Sequence, residues 1–353
     1  MTPLPVDYVL PLRWQDDAGL DELTAYLAWL RRHVEVTVVD GSARALFARH
    51  AARWAGLVRH VPPDADLRYA NGKVNGVVTG LRLARHEHVV IADDDVRYDR
   101  AGLESVHRLL DTADLVRPQN FFAPLPWHAR WDTARSLLNR VAGGDYPGTL
   151  GVRRSTFEAI GGYDGDVLFE NLELIRTIRA GGGIEAGPDD LFVRRLPPDA
   201  GRFWSQRVRQ AYDDLAQPAR MAAFLSILPA LLLTIRGRRP GRVVVAAAIA
   251  VAAAETGRRR GGGTRVFPAV TALMAPVWVM ERGACSWIAL AMWASGHGVR
   301  YGDRRLRTAA NTERALNRRL TSRQRRADAP FVAEGRNAGH LERGEAGPGI
   351  AGE

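Results

Sequence analysis

Three consecutive carboxylates, Asp93-Asp94-Asp95, follow the apolar run His88–Ala92, and a fourth, Asp40, follows the β-branched run Val34–Val39. Continuous apolar runs of this length read as strands buried on both faces. In an open α/β sheet, ligands bind beyond the carboxyl ends of such strands. Neighbouring carboxylates repel one another and are costly to place together unless a cation neutralises them. Hard oxygen ligands in an incomplete protein shell suit Mg2+ or Mn2+ shared with substrate phosphates. The alternative is a solvated turn that happens to be acidic. Asp40 at a matching strand end, before the turn Gly41-Ser42, favours the site. Lys73 is the only lysine among 353 residues, against 48 arginines. A compact ammonium can sit beside nucleotide phosphates where a planar guanidinium fits less well.

The elements that must position these residues alternate along the chain. Tyr8–Leu12 reads as a strand, and Leu20, Leu23, Leu27 and Leu30 fall at helical spacing. A helical stretch through Phe47 and Trp54 follows the strand Val34–Val39. Asp66–Ala70 is expected to be a further strand. Val74, Val77, Val78 and Leu81 mark one helix face, and a helix from about residue 100 to 110 follows His88–Ala92. This alternation predicts a parallel sheet covered by helices on both faces, one α/β domain over residues 1–217.

After Pro218 the texture changes. Met221–Ile235, Val243–Ala254, Val266–Met280 and Ala284–Ser295 are apolar and flanked by arginines. Residues 218–300 are therefore expected to be transmembrane or membrane-surface helices. Residues 301–353 are expected to be basic, then disordered from about Thr321. Residues 236–326 hold 19 arginines against four acids, so the net charge of +10 belongs to this third of the chain. Basic flanks around apolar runs suit an anionic membrane face and not nucleic acid, which is not an expected partner. A single cysteine, Cys285, excludes an internal disulfide and a cysteine-based zinc site. Met1–Trp14 carries no signal-peptide pattern.

Ordered motifs over residues 5–300 resemble an inverting, GT-A-fold glycosyltransferase of family 2, in its membrane-bound branch with ceramide glucosyltransferase-like enzymes. Tyr8-Val9-Leu10-Pro11-Leu12 resembles the family's first strand, and Val38-Val39-Asp40-Gly41-Ser42 its nucleotide-binding turn. Asn71-Gly72-Lys73-Val74-Asn75 resembles the segment beside the nucleotide, and Asp93–Asp95 the metal-binding DxD. Gly148–Arg154 and Gly161–Asp164 resemble the acceptor side. Gln206-Arg207-Val208-Arg209 resembles the front of Gln-x-x-Arg-Trp.

The resemblance implies a GT-A (Rossmann-like) domain followed by C-terminal membrane-associated helices. It implies a nucleotide-diphosphate sugar donor, with Asp40, Lys73, Asp93 and Gln206 at the nucleotide. A divalent cation, Mn2+ or Mg2+, is implied on Asp93 and Asp95, and Arg209 is implied against the departing diphosphate. A lipid or lipid-linked acceptor at the cytoplasmic face of the cell membrane follows from the branch and the basic flanks.

Two departures stand out. Where the family carries Glu-Asp, with Asp as general base, this chain has Glu170-Asn171, and Asn cannot accept the proton. Glu170 or Glu173, which share a helical face, must supply the base, or the chain lacks this chemistry. Gln210 replaces the motif's Trp. The rival readings are a catalytically impaired membrane scaffold with the same fold, and a soluble nucleotidyltransferase. The latter needs a Gly-rich basic loop that Leu10–Asp17 does not offer.

Overall fold

The computed structural model describes residues 2–302 and 304–327. Strands β1 (Val6–Leu12), β2 (Glu35–Asp40), β3 (Arg59–Val61) and β4 (His88–Ala92) pair in parallel, in the order β3-β2-β1-β4. The register sets Leu12 beside Asp40, so the carboxyl ends of β1 and β2 are level. After the short β5 (Val96–Arg97), β6 (Leu115–Val116) and β7 (Gln119–Phe122) comes β8 (Thr149–Arg153), which runs antiparallel beside β4. With β6 and β9 (Glu185–Ala186) it completes a seven-stranded sheet. A second sheet, β5-β10-β7, adds β10 (Phe192–Arg195) near the same edge. This is the α/β arrangement expected of a GT-A domain.

Two apolar layers hold the sheet. On one face α1 (Leu20–Leu30), α2 (Arg44–Trp54) and α4 (Arg100–Leu109) bring Leu23, Leu27, Trp54, Leu103 and Val106 onto Tyr8, Leu10, Val38 and Val90. On the other, α3 (Gly72–Leu83) sets Val74, Val77 and Leu81 against Val9, Val89 and Ile91. Asn71 caps α3, accepting the Lys73 backbone N–H. The strand expected at Asp66–Ala70 is a loop. Two of its backbone donors go to side chains, Tyr69 to Asn75 and Ala70 to Asp166, Leu67 donates to the Asp64 carbonyl in a turn, and Arg59–Val61 takes the place beside β2.

Helices α5 (Trp127–Val141), α6 (Arg154–Ala159), α7 (Glu170–Ala180) and α8 (Ala200–Asp213) follow. The apolar stretches become α9 (Pro218–Arg236), α10 (Pro240–Arg259), α11 (Val270–Leu273) and α12 (Ala275–Ala294). They pack on the α/β part and do not stand apart from it. Arg140 of α5, fully buried, donates to the backbone carbonyls of Asp189, Gly257 and Arg260. Two apolar helices, Pro218–Arg236 and Pro240–Arg265, are long enough to cross a membrane by length and composition. Leu232, Leu233, Ile235, Val244, Val245 and Ile249 on them are exposed. A hairpin of β11 (Val299–Tyr301) and β12 (Arg304–Leu306) and then α13 (Glu313–Ala327) follow. The helix α13 runs past Thr321, where a disordered tail is expected; the rest of that tail lies outside the described residues.

The approach of α3 to β1 rests on Gly80, where an added Cβ would lie 2.2 Å from Val9 Cγ1. Gly80→Ala is expected to cost about 1–3 kcal/mol through overpacking. Thermal unfolding monitored by circular dichroism should show the midpoint falling by several degrees; an unchanged midpoint contradicts this packing.

Candidate active site

A cavity of about 470 Å³ opens beyond the carboxyl ends of β1, β2 and β4. Leu12, Arg13, Gly41 and Asp93–Asp95 form its sheet side, and Gly72-Lys73 at the start of α3 closes one flank. Glu170-Asn171 at the start of α7 and Gln206, Arg209, Gln210 and Asp213 of α8 line the facing wall. Positions 206, 209 and 213 fall one helical turn apart, on one face of α8.

Charges at the strand end are paired in detail. Lys73 Nζ lies 2.6 Å from Asp93 Oδ1 and 2.7 Å from Glu170 Oε1, and donates to Asn171 Oδ1 at 3.3 Å. Burial works against the Lys73 ammonium, but Asp93 and Glu170 outweigh it and raise its pKa. Arg195, at the end of β10, donates its Nε to Asp95 at 2.8 Å and sets Nη2 3.4 Å from Asp93. Burial also opposes ionisation of Asp93, yet Lys73 and Arg195 hold its pKa low. Asp95 is pushed up to about 6 by burial, which its neighbours Asp93 and Asp94 reinforce against the pull of Arg195. Asp94 turns to the indole N–H of Trp14. Gly148 permits this crowding, since a Cβ there would lie 2.7 Å from Asp93 Oδ2. Two cavity-facing carboxylates on one turn, at a strand end, are a donor set that fits Mg2+ or Mn2+ with positions left open for phosphate.

Two sequence expectations change here. Asp40 is not on the cavity wall: it is 1% exposed and enclosed by its partners. Its Oδ2 lies 2.6 Å from His50 Nδ1 and 3.0 Å from His60 Nε2, and its Oδ1 accepts from the Ser42 backbone. It shapes the Gly41 turn, and Gly41 meets the cavity. Glu173 is wholly buried and turned away; it accepts from the backbone and side-chain nitrogens of Asn311 at 2.6 and 2.8 Å. Burial raises its pKa against those hydrogen bonds. Sharing the first turn of α7 with Glu170 does not bring its carboxylate to Lys73, because Asn311 holds both of its oxygens. Asn171 is held at both ends of its amide: its Nδ2 donates to the Pro147 carbonyl at 2.9 Å while its Oδ1 accepts from Lys73. An Asp there would lose that donor and set a carboxylate against a carbonyl.

Lys73, Asp93, Asp95, Glu170, Gln206 and Arg209 do converge on the cavity. Arg209 also stacks over the Tyr301 ring at 5.1 Å. Arg195 and Asp213 are among the cavity residues that the sequence did not single out. Arg195 comes from β10, the middle strand of the second sheet, 100 residues after Asp95, with no motif around it. Asp213 has a local signal, since it continues the Gln206–Arg209 face by one turn.

Burial alone would raise the Asp40 carboxyl, but hydrogen bonds from His60, Ser42 and His50 dominate and hold it at about 2, below the usual 3.8. A depressed carboxyl contributes stability above its unfolded pKa and loses it as pH falls through the folded value. Acid titration of unfolding should therefore show roughly 2 kcal/mol lost between about pH 4 and pH 2. Asp40→Asn should flatten that limb; an unaltered acid limb contradicts the hydrogen-bonded charge.

No protein-family model matches the chain. A molybdenum cofactor guanylyltransferase of Pseudomonas entomophila (strain L48) is 32% identical over 137 residues, 35% of this chain and 70% of that protein. Among solved structures, the mannosyltransferase PcManGT from Pyrobaculum calidifontis, in complex with GDP-Man and Mn2+, aligns over 83% of this chain and 81% of its own. That alignment has 19% identity and a TM-score of 0.47. TarS of S. aureus, residues 1–349, aligns over 84% of this chain and 93% of its own, at 12% identity and a TM-score of 0.43. Likeness at these scores does not specify an activity. By its curated relative, of which it covers more than two thirds, the chain belongs to the family of α/β transferases that includes that guanylyltransferase.

Proposed function

We propose that this chain is a membrane-associated, inverting glycosyltransferase of family 2, in the ceramide glucosyltransferase-like branch. It would move a sugar from a nucleoside-diphosphate donor to an acceptor hydroxyl. The observation that carries the reading is the meeting at one cavity of Asp93 and Asp95 from β4, Lys73 from α3, and Gln206 and Arg209 from α8. Asp93 and Asp95 would hold a divalent cation, Mn2+ or Mg2+, which when bound neutralises diphosphate oxygens. The Gly41 turn, set by Asp40, and Gln206 border the nucleotide. Lys73 stays protonated beside the phosphates, and Arg209 offers hydrogen bonds to the diphosphate oxygen as charge develops on it. Glu170, ion-paired to Lys73, fixes that ammonium. Attack of the acceptor oxygen opposite the departing diphosphate inverts the anomeric carbon.

The exposed apolar residues of α9 and α10, beside arginines such as Arg236 and Arg242, support attachment to a cell membrane. With the cavity on the cytoplasmic side, a lipid or lipid-linked acceptor would reach it from the bilayer. Flotation of the full chain on vesicles with and without phosphatidylserine tests this. The expected result is co-flotation with both, stronger with the anionic lipid at low salt; protein left in the bottom fraction of both gradients contradicts it.

One observation favours a second reading, nucleotidyl transfer: the guanylyltransferase relative. That reading lacks its Gly-rich basic loop, because Trp14 after β1 is instead bound to Ser42 and Asp94. The products separate the two. Incubated with nucleotide sugars and Mn2+, the purified chain should release nucleoside diphosphate, and Asp95→Asn should lower that rate about a thousandfold. Release of pyrophosphate from a nucleoside triphosphate and a sugar phosphate would favour nucleotidyl transfer. Neither product would favour a scaffold.

A further inference from the structure

Asn171 leaves the proposed reaction without its expected base, and the other cavity carboxylates are committed. Glu170 is ion-paired with Lys73, and a carboxylate held by an ammonium is a poor proton acceptor. Asp93 and Asp95 face Lys73 and Arg195. Asp214 lies 2.9 Å from Arg220 and 3.5 Å from Arg282. Asp213 differs from all of them. It ends the helix face that carries Gln206 and Arg209, it lines the cavity, and its buried Oδ1 meets no hydrogen-bond partner among the described residues.

Resting on the glycosyltransferase reading, we propose that Asp213 is the general base that accepts the acceptor's proton. In that step the acceptor O–H bond breaks and its proton passes to an Asp213 carboxylate oxygen. The acceptor oxygen forms the new bond to the anomeric carbon. The bond from that carbon to the diphosphate oxygen breaks, and its electron pair leaves with the nucleoside diphosphate. The groups facing Asp213 are Arg209 on α8, Asp214 after it, Glu170 on α7 and Arg282 on α12. Burial raises the Asp213 carboxyl to about 7; Arg209 and Arg282 oppose that rise, and Asp214 and Glu170 add to it. A group titrating near neutrality is ionised for part of the time and still basic enough to take a hydroxyl proton.

The test uses the full chain with Mn2+, GDP-mannose and UDP-glucose as donors, and two acceptors, water and azide. Water must lose a proton to react, whereas azide is already an anion and needs no base. Wild type should hydrolyse at least one donor with a rate that rises through about pH 7. Asp213→Asn should lower hydrolysis about a hundredfold or more and abolish that rise. Its formation of glycosyl azide should stay within about threefold of wild type, and Asp213→Glu should recover part of the hydrolysis. Hydrolysis by Asp213→Asn at the wild-type rate overturns the proposal and leaves the reading standing. Loss of both hydrolysis and azide transfer also overturns it, since the residue would then be structural. If wild type releases nucleoside diphosphate from neither donor, with water or azide, the glycosyltransferase reading fails and the base falls with it.

Discussion

One ammonium group joins the parts of the cavity. Lys73 Nζ sits between Asp93 at the end of β4 and Glu170 at the start of α7, 2.6 and 2.7 Å away, while its own backbone opens α3. Three elements that also share one apolar core layer are thereby tied together at the cavity. Buried charges are costly unless paired, and removing one partner strands the others. With Arg195 bridging Asp93 and Asp95, the carboxylates at this edge are balanced by two cations of different shape. The planar fork of Arg195 spans two carboxylates on one turn. The point charge of Lys73 reaches two carboxylates on different elements, a geometry a guanidinium does not copy.

That balance explains why much of the site could be read from the sequence and some could not. Strand ends are local: β-branched runs ending in Asp40 and in Asp93–Asp95 announce both the sheet and its ligand edge, and the solitary Lys73 marks the helix beside them. Side-chain direction is not local. Glu173 shares the first turn of α7 with Glu170 yet spends its carboxylate on Asn311, a partner 138 residues away. Asp40 sits at the right strand end, but two histidines from α2 and β3 enclose it. Arg195 arrives on the middle strand of the second sheet with no motif to flag it. The loop at Asp66–Ala70 looks like a strand by residue type alone, because the side chains that claim its backbone donors lie elsewhere.

The C-terminal helices belong to the same account. Arg220 of α9 and Arg282 of α12 line the cavity and pair with Asp214, which follows α8. The apolar helices therefore complete the wall opposite the sheet as well as presenting exposed Leu, Val and Ile residues outward. Under the proposed function, one group of helices would both meet the bilayer and border the acceptor side. A water-soluble acceptor would not need that arrangement.

The uniqueness of Lys73 makes the central claim directly measurable. Protein grown with 15N-lysine carries one labelled side chain, so its ammonium gives a single NMR resonance from the middle of the cavity. If Asp93 and Lys73 border a site for a cation and a nucleoside diphosphate, adding GDP or UDP with Mg2+ should shift that resonance. Replacing Mg2+ by Mn2+ should broaden it beyond detection. A resonance that neither shifts with nucleotide and Mg2+ nor broadens with Mn2+ would contradict the account.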